Sequence, residues 1–161
     1  MKQILIISLL ICILLLAGCG EARSIGIIGG ADGPTAIYVD KNDKWGVYLY
    51  ADDVNPTGMT LKIEQSGGSP SGSLEYGAAY TLETLVNNEW QEVKTKTGEP
   101  LVWNALGYMV KMNDITEINI NWEYGYGKLN PGEYRLCKEI MDFRATGDFD
   151  KNLYYAYFTI E

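Results

Sequence analysis

The side chains best able to do chemistry in this sequence are its carboxylates, and their spacing falls short of each site they could build. In Asp40-Lys41-Asn42-Asp43-Lys44-Trp45-Gly46 the first two ligand spacings match an EF-hand calcium loop, but Lys44 takes the third ligand position and no Glu follows at the last. Asp142, Asp148 and Asp150 surround Arg144 and Gly147 ahead of the last apolar stretch. Both groups read as solvated turn carboxylates, so no bound metal is expected. Glycoside hydrolysis needs two carboxyls at a set separation, and no spacing among the 21 acidic residues singles out a pair. The chain has no histidine, which removes the commonest general base near neutral pH and the commonest metal ligand. Cys137 lies among Leu136 and Ile140 in an apolar pattern and reads as a buried, inert thiol. Gly26, Gly29, Gly30 and Gly33 lack both the Lys and Ser/Thr of a phosphate loop and the regular spacing of a dinucleotide fingerprint. The expectation is a protein without catalysis, nucleotide or other cofactor.

The N-terminus carries a different chemistry. Lys2 precedes a run from Ile4 to Ala17 that is apolar except for Ser8 and ends in Leu16-Ala17-Gly18-Cys19. At about 14 residues the run is shorter than the roughly 20 that a helix needs to cross a bilayer, so it reads as a cleaved export signal. The closing quartet resembles the lipobox of bacterial lipoproteins. That resemblance implies cleavage between Gly18 and Cys19, a diacylglycerol on the Cys19 sulfur, and a membrane as partner through that lipid, on its outer side. Each buried methylene adds about 0.8 kcal/mol, and two acyl chains anchor stably where one does not. Removing residues 1–18 leaves 143, enough for one domain and a short tether, and takes the formal charge from −8 to −9. Nucleic acid is an unexpected partner at that charge, and the protein surface should stand off anionic lipid. Cys12 leaves with the signal and Cys19 is lipidated, so Cys137 has no partner for an internal disulfide.

The elements that follow are strands. Val47, Leu49 and Ala51 alternate with Tyr48, Tyr50 and Asp52; after the Val54-Asn55-Pro56-Thr57-Gly58 turn, Met59, Leu61 and Ile63 alternate with Thr60, Lys62 and Glu64. Period two means one buried face per strand. A Gly/Ser/Pro loop from Gln65 to Ser73 leads into Tyr76, Ala78, Tyr80 and Leu82, and Asn87-Asn88 suits a tight hairpin before Trp90 and Val93. Further alternation runs through Ile118 to Trp122, Tyr134 to Ile140 and Tyr154 to Ile160, and 101–113 is read as a strand. The fold class is therefore all-β, an antiparallel sandwich of about seven strands over residues 45–161, behind a signal peptide (1–18) and a tether (19–44). Leu129-Asn130-Pro131-Gly132-Glu133-Tyr134-Arg135-Leu136 resembles the tyrosine corner of Ig-like sandwiches, which implies a structural hydrogen bond from Tyr134 to upstream backbone. The wider pattern, chiefly Trp122-Glu123-Tyr124-Gly125-Tyr126-Gly127-Lys128-Leu129, Lys138-Glu139-Ile140 and Tyr154-Tyr155-Ala156-Tyr157-Phe158, is similar to bacterial Ig-like domains of exported and membrane-anchored proteins. It implies a fold and a location, not a reaction.

Two features bear on partners. Residues 24–37, centred on Gly29-Gly30-Ala31-Asp32-Gly33-Pro34, resemble a short signature of the membrane-embedded beta subunit of sodium-translocating decarboxylases, where the Asp is assigned to sodium handling. The resemblance implies an ion-responsive or docking role for Asp32, or an accessory role beside such a transport system. Read as residues alone, the segment is a flexible linker or an added hairpin with a turn at Asp32-Gly33-Pro34-Thr35. The second feature is tyrosine, 12 in all; Tyr48, Tyr50, Tyr155 and Tyr157 fall on the strand faces opposite the expected core and are candidate surface aromatics. Rigid amphipathic rings bury area at little entropic cost. The sequence thus points to a lipid-anchored, non-catalytic binding or structural module whose partner is an envelope protein or a glycan.

Overall fold

The computed structural model describes residues 43–161 in full and, before them, the backbone of two strands; Gly18, Cys19 and Asp32 lie outside the described residues. Those two strands, β1 (Ile25–Gly30) and β2 (Gly33–Tyr38), pair antiparallel from Ile25 opposite Tyr38 to Gly30 opposite Gly33, so the segment read as linker or hairpin is a hairpin. The rest is nine strands: β3 (Val47–Asn55), β4 (Gly58–Gln65), β5 (Ser73–Gly77), β6 (Thr81–Val86), β7 (Glu89–Glu92), β8 (Gly107–Met109), β9 (Ile115–Asn121), β10 (Gly132–Ala145) and β11 (Asp148–Ile160). The small sheet runs β3-β4-β9. In the large sheet β10 is the hub, with β11 along one side and, on the other, β6 beside its first half and β5 beside its second; β7 extends β6 and β8 extends β5. All pairings are antiparallel, and the all-β sandwich read from the sequence stands, with nine strands in place of about seven.

The alternation explains the core. Val47, Leu49, Ala51, Met59, Leu61 and Ile63 of the small sheet are buried against Leu82, Leu136, Ile140, Ala156, Phe158 and Ile160 of the large one. At one end Trp122 and Tyr134 both stack on Phe158, with ring centroids 5.4 and 5.6 Å away. The Trp122 indole N–H donates to Pro56 O at 3.0 Å. The Tyr134 hydroxyl donates to Asn130 O at 2.9 Å, tying the entry of β10 to the chain four residues upstream. Tyr134→Phe keeps the stacked ring and loses that bond, so it should lower the unfolding free energy by about 1 kcal/mol in urea titration.

The opposite end is organised by buried polar groups. Gln65, 1% exposed, donates from Nε2 to Trp45 O and Gly67 O and accepts from Asn113 N. This holds three chain segments together where the domain begins. Asp43 belongs to the same end: its carboxylate accepts from Trp45 N, Val47 N and the Tyr154 hydroxyl, so the fold starts two residues before Trp45. Gly46 and Gly68 both have positive φ and interlock so closely that a Cβ on Gly68 would stand 2.3 Å from Gly46 N.

Three readings of the sequence need correction. The alternation predicts one strand through Tyr76–Leu82, but the strand breaks: Tyr76 pairs with Ile140 and Thr81 with Cys137, leaving residues 77–80 opposite only 138 and 139. Lys138 is the reason. It points inward, 2% exposed, and its ammonium donates to Gly77 O and, at 2.8 Å, to Ala79 O, the carbonyls that the break releases from the ladder. Residues 101–113 are largely irregular, with a strand only at Gly107–Met109, because Trp103 packs on Tyr80 across a 4.8 Å centroid distance and Leu101 fills the space over Gly125. Asp142 is not a solvated turn carboxylate: it is 1% exposed and accepts from Ser71 N (2.7 Å), Ser71 Oγ (2.7 Å) and Gly72 N (2.6 Å).

Candidate binding surface

Pleating sends odd-numbered residues of β10 and β11 to the outer face of the large sheet. The register sets Arg135 opposite Tyr157 on β11 and Glu83 on β6, Cys137 opposite Tyr155, and Leu85 opposite Trp90 of β7. These residues close into one cluster. The Arg135 guanidinium lies 4.6 Å from the centre of the Trp90 ring and 4.2 Å from that of Tyr155, with its Nε bonded to the Glu83 carboxylate. Tyr157 meets Trp90 edge-on at 5.6 Å and lies 6.3 Å from Tyr155. Stacking of a guanidinium between two rings gains from both ring quadrupoles and fixes the side chains that take part. Desolvation works against the Arg135 charge, and the Glu83 carboxylate and Tyr157 hydroxyl outweigh it, so its pKa rises. Burial, with repulsion from Glu83 added, pushes the Cys137 thiol up to about 11, which leaves it a poor nucleophile at neutral pH.

The four candidate tyrosines therefore divide into two pairs. Tyr155 and Tyr157 share the large sheet's outer face with Trp90 and Arg135, whereas Tyr48 and Tyr50 lie on the outer face of the small sheet. All four are half-buried rather than fully exposed, since each leans on its neighbours. On the small sheet those neighbours are charged: Lys62 reaches Asp52 at 2.5 Å and Glu117 at 3.5 Å, and burial raises the Tyr50 pKa. Sequence reasoning found Tyr155 and Tyr157 but missed Trp90, Arg135 and Glu83. The usable signal was Trp90 as the second residue after the Asn87-Asn88 turn, whose hairpin register fixes Leu85 opposite Trp90.

Other arrangements offer little chemistry. Arg144 ties Asp148 and Asp150 together at 2.7 and 3.1 Å and stands 3.8 Å from Asp142, so each acid of that loop already has a cationic partner within the fold. Among the described residues no group of His, Cys, Asp and Glu is arranged to hold a metal ion. A shallow recess between β3, β4 and β9 is lined by Asp53, Asn55, Thr57, Thr60, Asn119 and Asn121, with a single carboxylate and no second acid to pair with it.

The family profile of bacterial Ig-like domains matches residues 43–158. The chain belongs to that family. The match begins at Asp43, the residue whose carboxylate opens the fold, and runs through both sheets to Phe158, two residues short of the end of β11. In the Ig-like domain the Tyr134 hydroxyl bond stands at the start of the penultimate strand, and the Trp90–Arg135–Tyr155–Tyr157 cluster occupies the exposed side of the sheet built on the last two strands. No curated protein and no solved structure matches the chain.

Proposed function

We propose that the chain is an exported lipoprotein, held by a diacylglycerol on Cys19 at the outer side of a bacterial membrane, whose Ig-like domain is a non-catalytic module that binds an envelope protein. The observation that carries the binding role is the guanidinium of Arg135 stacked between Trp90 and Tyr155. Trp, Tyr and Arg dominate the energetics of protein interfaces, and side chains already locked in place lose little entropy when a partner covers them. The lipid anchor rests on the Leu16-Ala17-Gly18-Cys19 quartet at the end of the apolar run.

Crosslinking in the native envelope followed by mass spectrometry tests both parts. The N-terminal peptide should begin at Cys19 and carry diacylglycerol, and Cys19→Ala should abolish lipid labelling. Trp90→Ala should reduce recovery of the crosslinked protein about tenfold, the effect of losing roughly 1.4 kcal/mol at an interface, while leaving the anchor intact. Recovery of glycan in place of protein would replace the partner class, and undiminished recovery with Trp90→Ala would move the binding site off this face.

A further inference from the structure

We infer that the partner of the large sheet's outer face docks through an extended, basic segment of its chain, with apolar side chains laid along β11 and Lys or Arg reaching the glutamates beside it; this rests on the binding role proposed above. The register of the sheet builds the surface. On β11 the outward positions run Phe149, Lys151, Leu153, Tyr155, Tyr157 and Thr159. Phe149 is 41% and Leu153 53% exposed, while Tyr155 and Tyr157 are half-buried. Lys151 does not interrupt the stripe, because its ammonium lies 5.6 Å from the centre of the Phe149 ring and pairs with Glu139 at 2.7 Å. From Phe149 to Tyr157, at about 3.3 Å per residue, the stripe is roughly 26 Å long and one strand wide. Among the described strands β11 is bonded only to β10; β2 passes close to it and still leaves Leu153 and Phe149 in water. A strip of that shape matches one extended chain of about eight residues laid along the strand.

Charge selects the chemistry of that chain. β11 turns no carboxylate to this face, whereas its neighbours turn five: Glu133 and Glu139 on β10, Glu83 on β6, Glu92 on β7 and Glu75 on β5. Two are already paired, Glu83 with Arg135 and Glu139 with Lys151. Glu75, Glu92 and Glu133 have no ion-pair partner among the described residues. The borders do not supply the missing cations. Lys94 follows β7 and Glu161 follows β11, one charge of each sign, and at the Phe149 end Arg144 and Lys44 are taken up by Asp142, Asp148 and Asp150. The face thus sets three unmatched negative charges beside an apolar strip. A segment carrying Lys or Arg meets them with opposite charge, and the long stems of those side chains can lie on the neighbouring rings; an acidic segment would be repelled.

A photoreactive benzophenone side chain in place of Leu153, carried by the full lipidated chain in envelope vesicles, captures the occupant directly. Mass spectrometry of the adduct should map it to a segment in which Lys or Arg stands among apolar residues. Changing Glu75, Glu92 and Glu133 together to Gln should lower the adduct yield severalfold, and so should raising the salt from about 0.05 to about 0.5 M. That variant removes no ion pair from the fold, so its thermal midpoint should match that of the parent. Trp90→Ala should lower the yield as well. A yield that falls with Trp90→Ala but ignores both salt and the Gln variant overturns the basic segment and leaves the binding face standing. A yield that ignores all three changes overturns both. An adduct to an acidic or uncharged segment, to a second copy of this chain or to the β1–β2 hairpin of the same chain overturns the proposal, as does the absence of any adduct.

Discussion

Asp142→Ala should lower the unfolding free energy by about 3 kcal/mol in urea titration and the thermal midpoint by roughly 10 °C. The carboxylate is 1% exposed and accepts two backbone N–H groups and one hydroxyl from Ser71 and Gly72, so truncation leaves donors without acceptors and unties the 66–72 loop from β10. Gly72 packs against the backbone of Phe143, with a Cβ there 2.2 Å from Phe143 O, so the same loop also meets β10 by close backbone contact. Burial alone would raise the Asp142 pKa; the bonds from Ser71 and Gly72, with the Arg144 guanidinium, outweigh it and hold the carboxyl below its ordinary value of 3.8. A folded-state pKa lower than the unfolded one gives stability that is present above the unfolded value and is lost as the pH falls through the folded one. The gap between wild type and Asp142→Ala should therefore be constant near neutral pH and narrow below about pH 4. A gap unchanged down to pH 2 would mean that the loop is held by packing and not by the carboxylate.

What the sequence disclosed, and what it did not, follows from the range over which each signal acts. Alternation is local, and it located the buried faces of β3, β4, β10 and β11 because each of those strands presents one side to a single core. Asn87 and Asn88, both at positive φ, marked their two-residue turn for an equally local reason. Asp142 misled because its partners are 70 and 71 residues away, in a loop whose composition gives no sign that it folds back on β10. The region 101–113 misled because Trp103 and Leu101 satisfy their apolar surface against Tyr80 and the Gly125 turn without joining a ladder. The same limit applies to the candidate site. Tyr155 and Tyr157 could be placed on an outer face from their own strand, whereas the Arg135 stack exists only once β6, β7, β10 and β11 are in register.

Lys138 yields the other large effect, and its sign is the less intuitive one. Burial pulls its pKa from 10.5 down to about 8, so near neutral pH the folded protein holds a charge in its core. The neutral amine can still meet both carbonyls, those of Gly77 and Ala79, with its two N–H groups; those carbonyls and the Tyr76 ring, 5.4 Å away, favour the charge, and desolvation outweighs them. Between pH 8 and 10.5 the unfolded chain binds a proton at this position that the folded chain releases, and stability rises with pH wherever the unfolded state binds more protons. The penalty of the buried charge is complete below the folded pKa and vanishes above the unfolded one. Wild type should thus gain on Lys138→Met, which cannot titrate there, by up to about 3 kcal/mol between pH 7 and pH 10.5. Taking the difference between the two proteins removes the titration of the remaining groups, among them Tyr80, whose burial pushes its pKa up to about 12. At pH 7 the substitution exchanges the cost of a buried charge for that of two unbonded carbonyls, each about 1 to 3 kcal/mol, so the two proteins should be of similar stability there and diverge only as the pH rises. Equal pH slopes for wild type and Lys138→Met would show that the ammonium is solvated in the folded state and that the break at residues 77–80 is held by something other than this side chain.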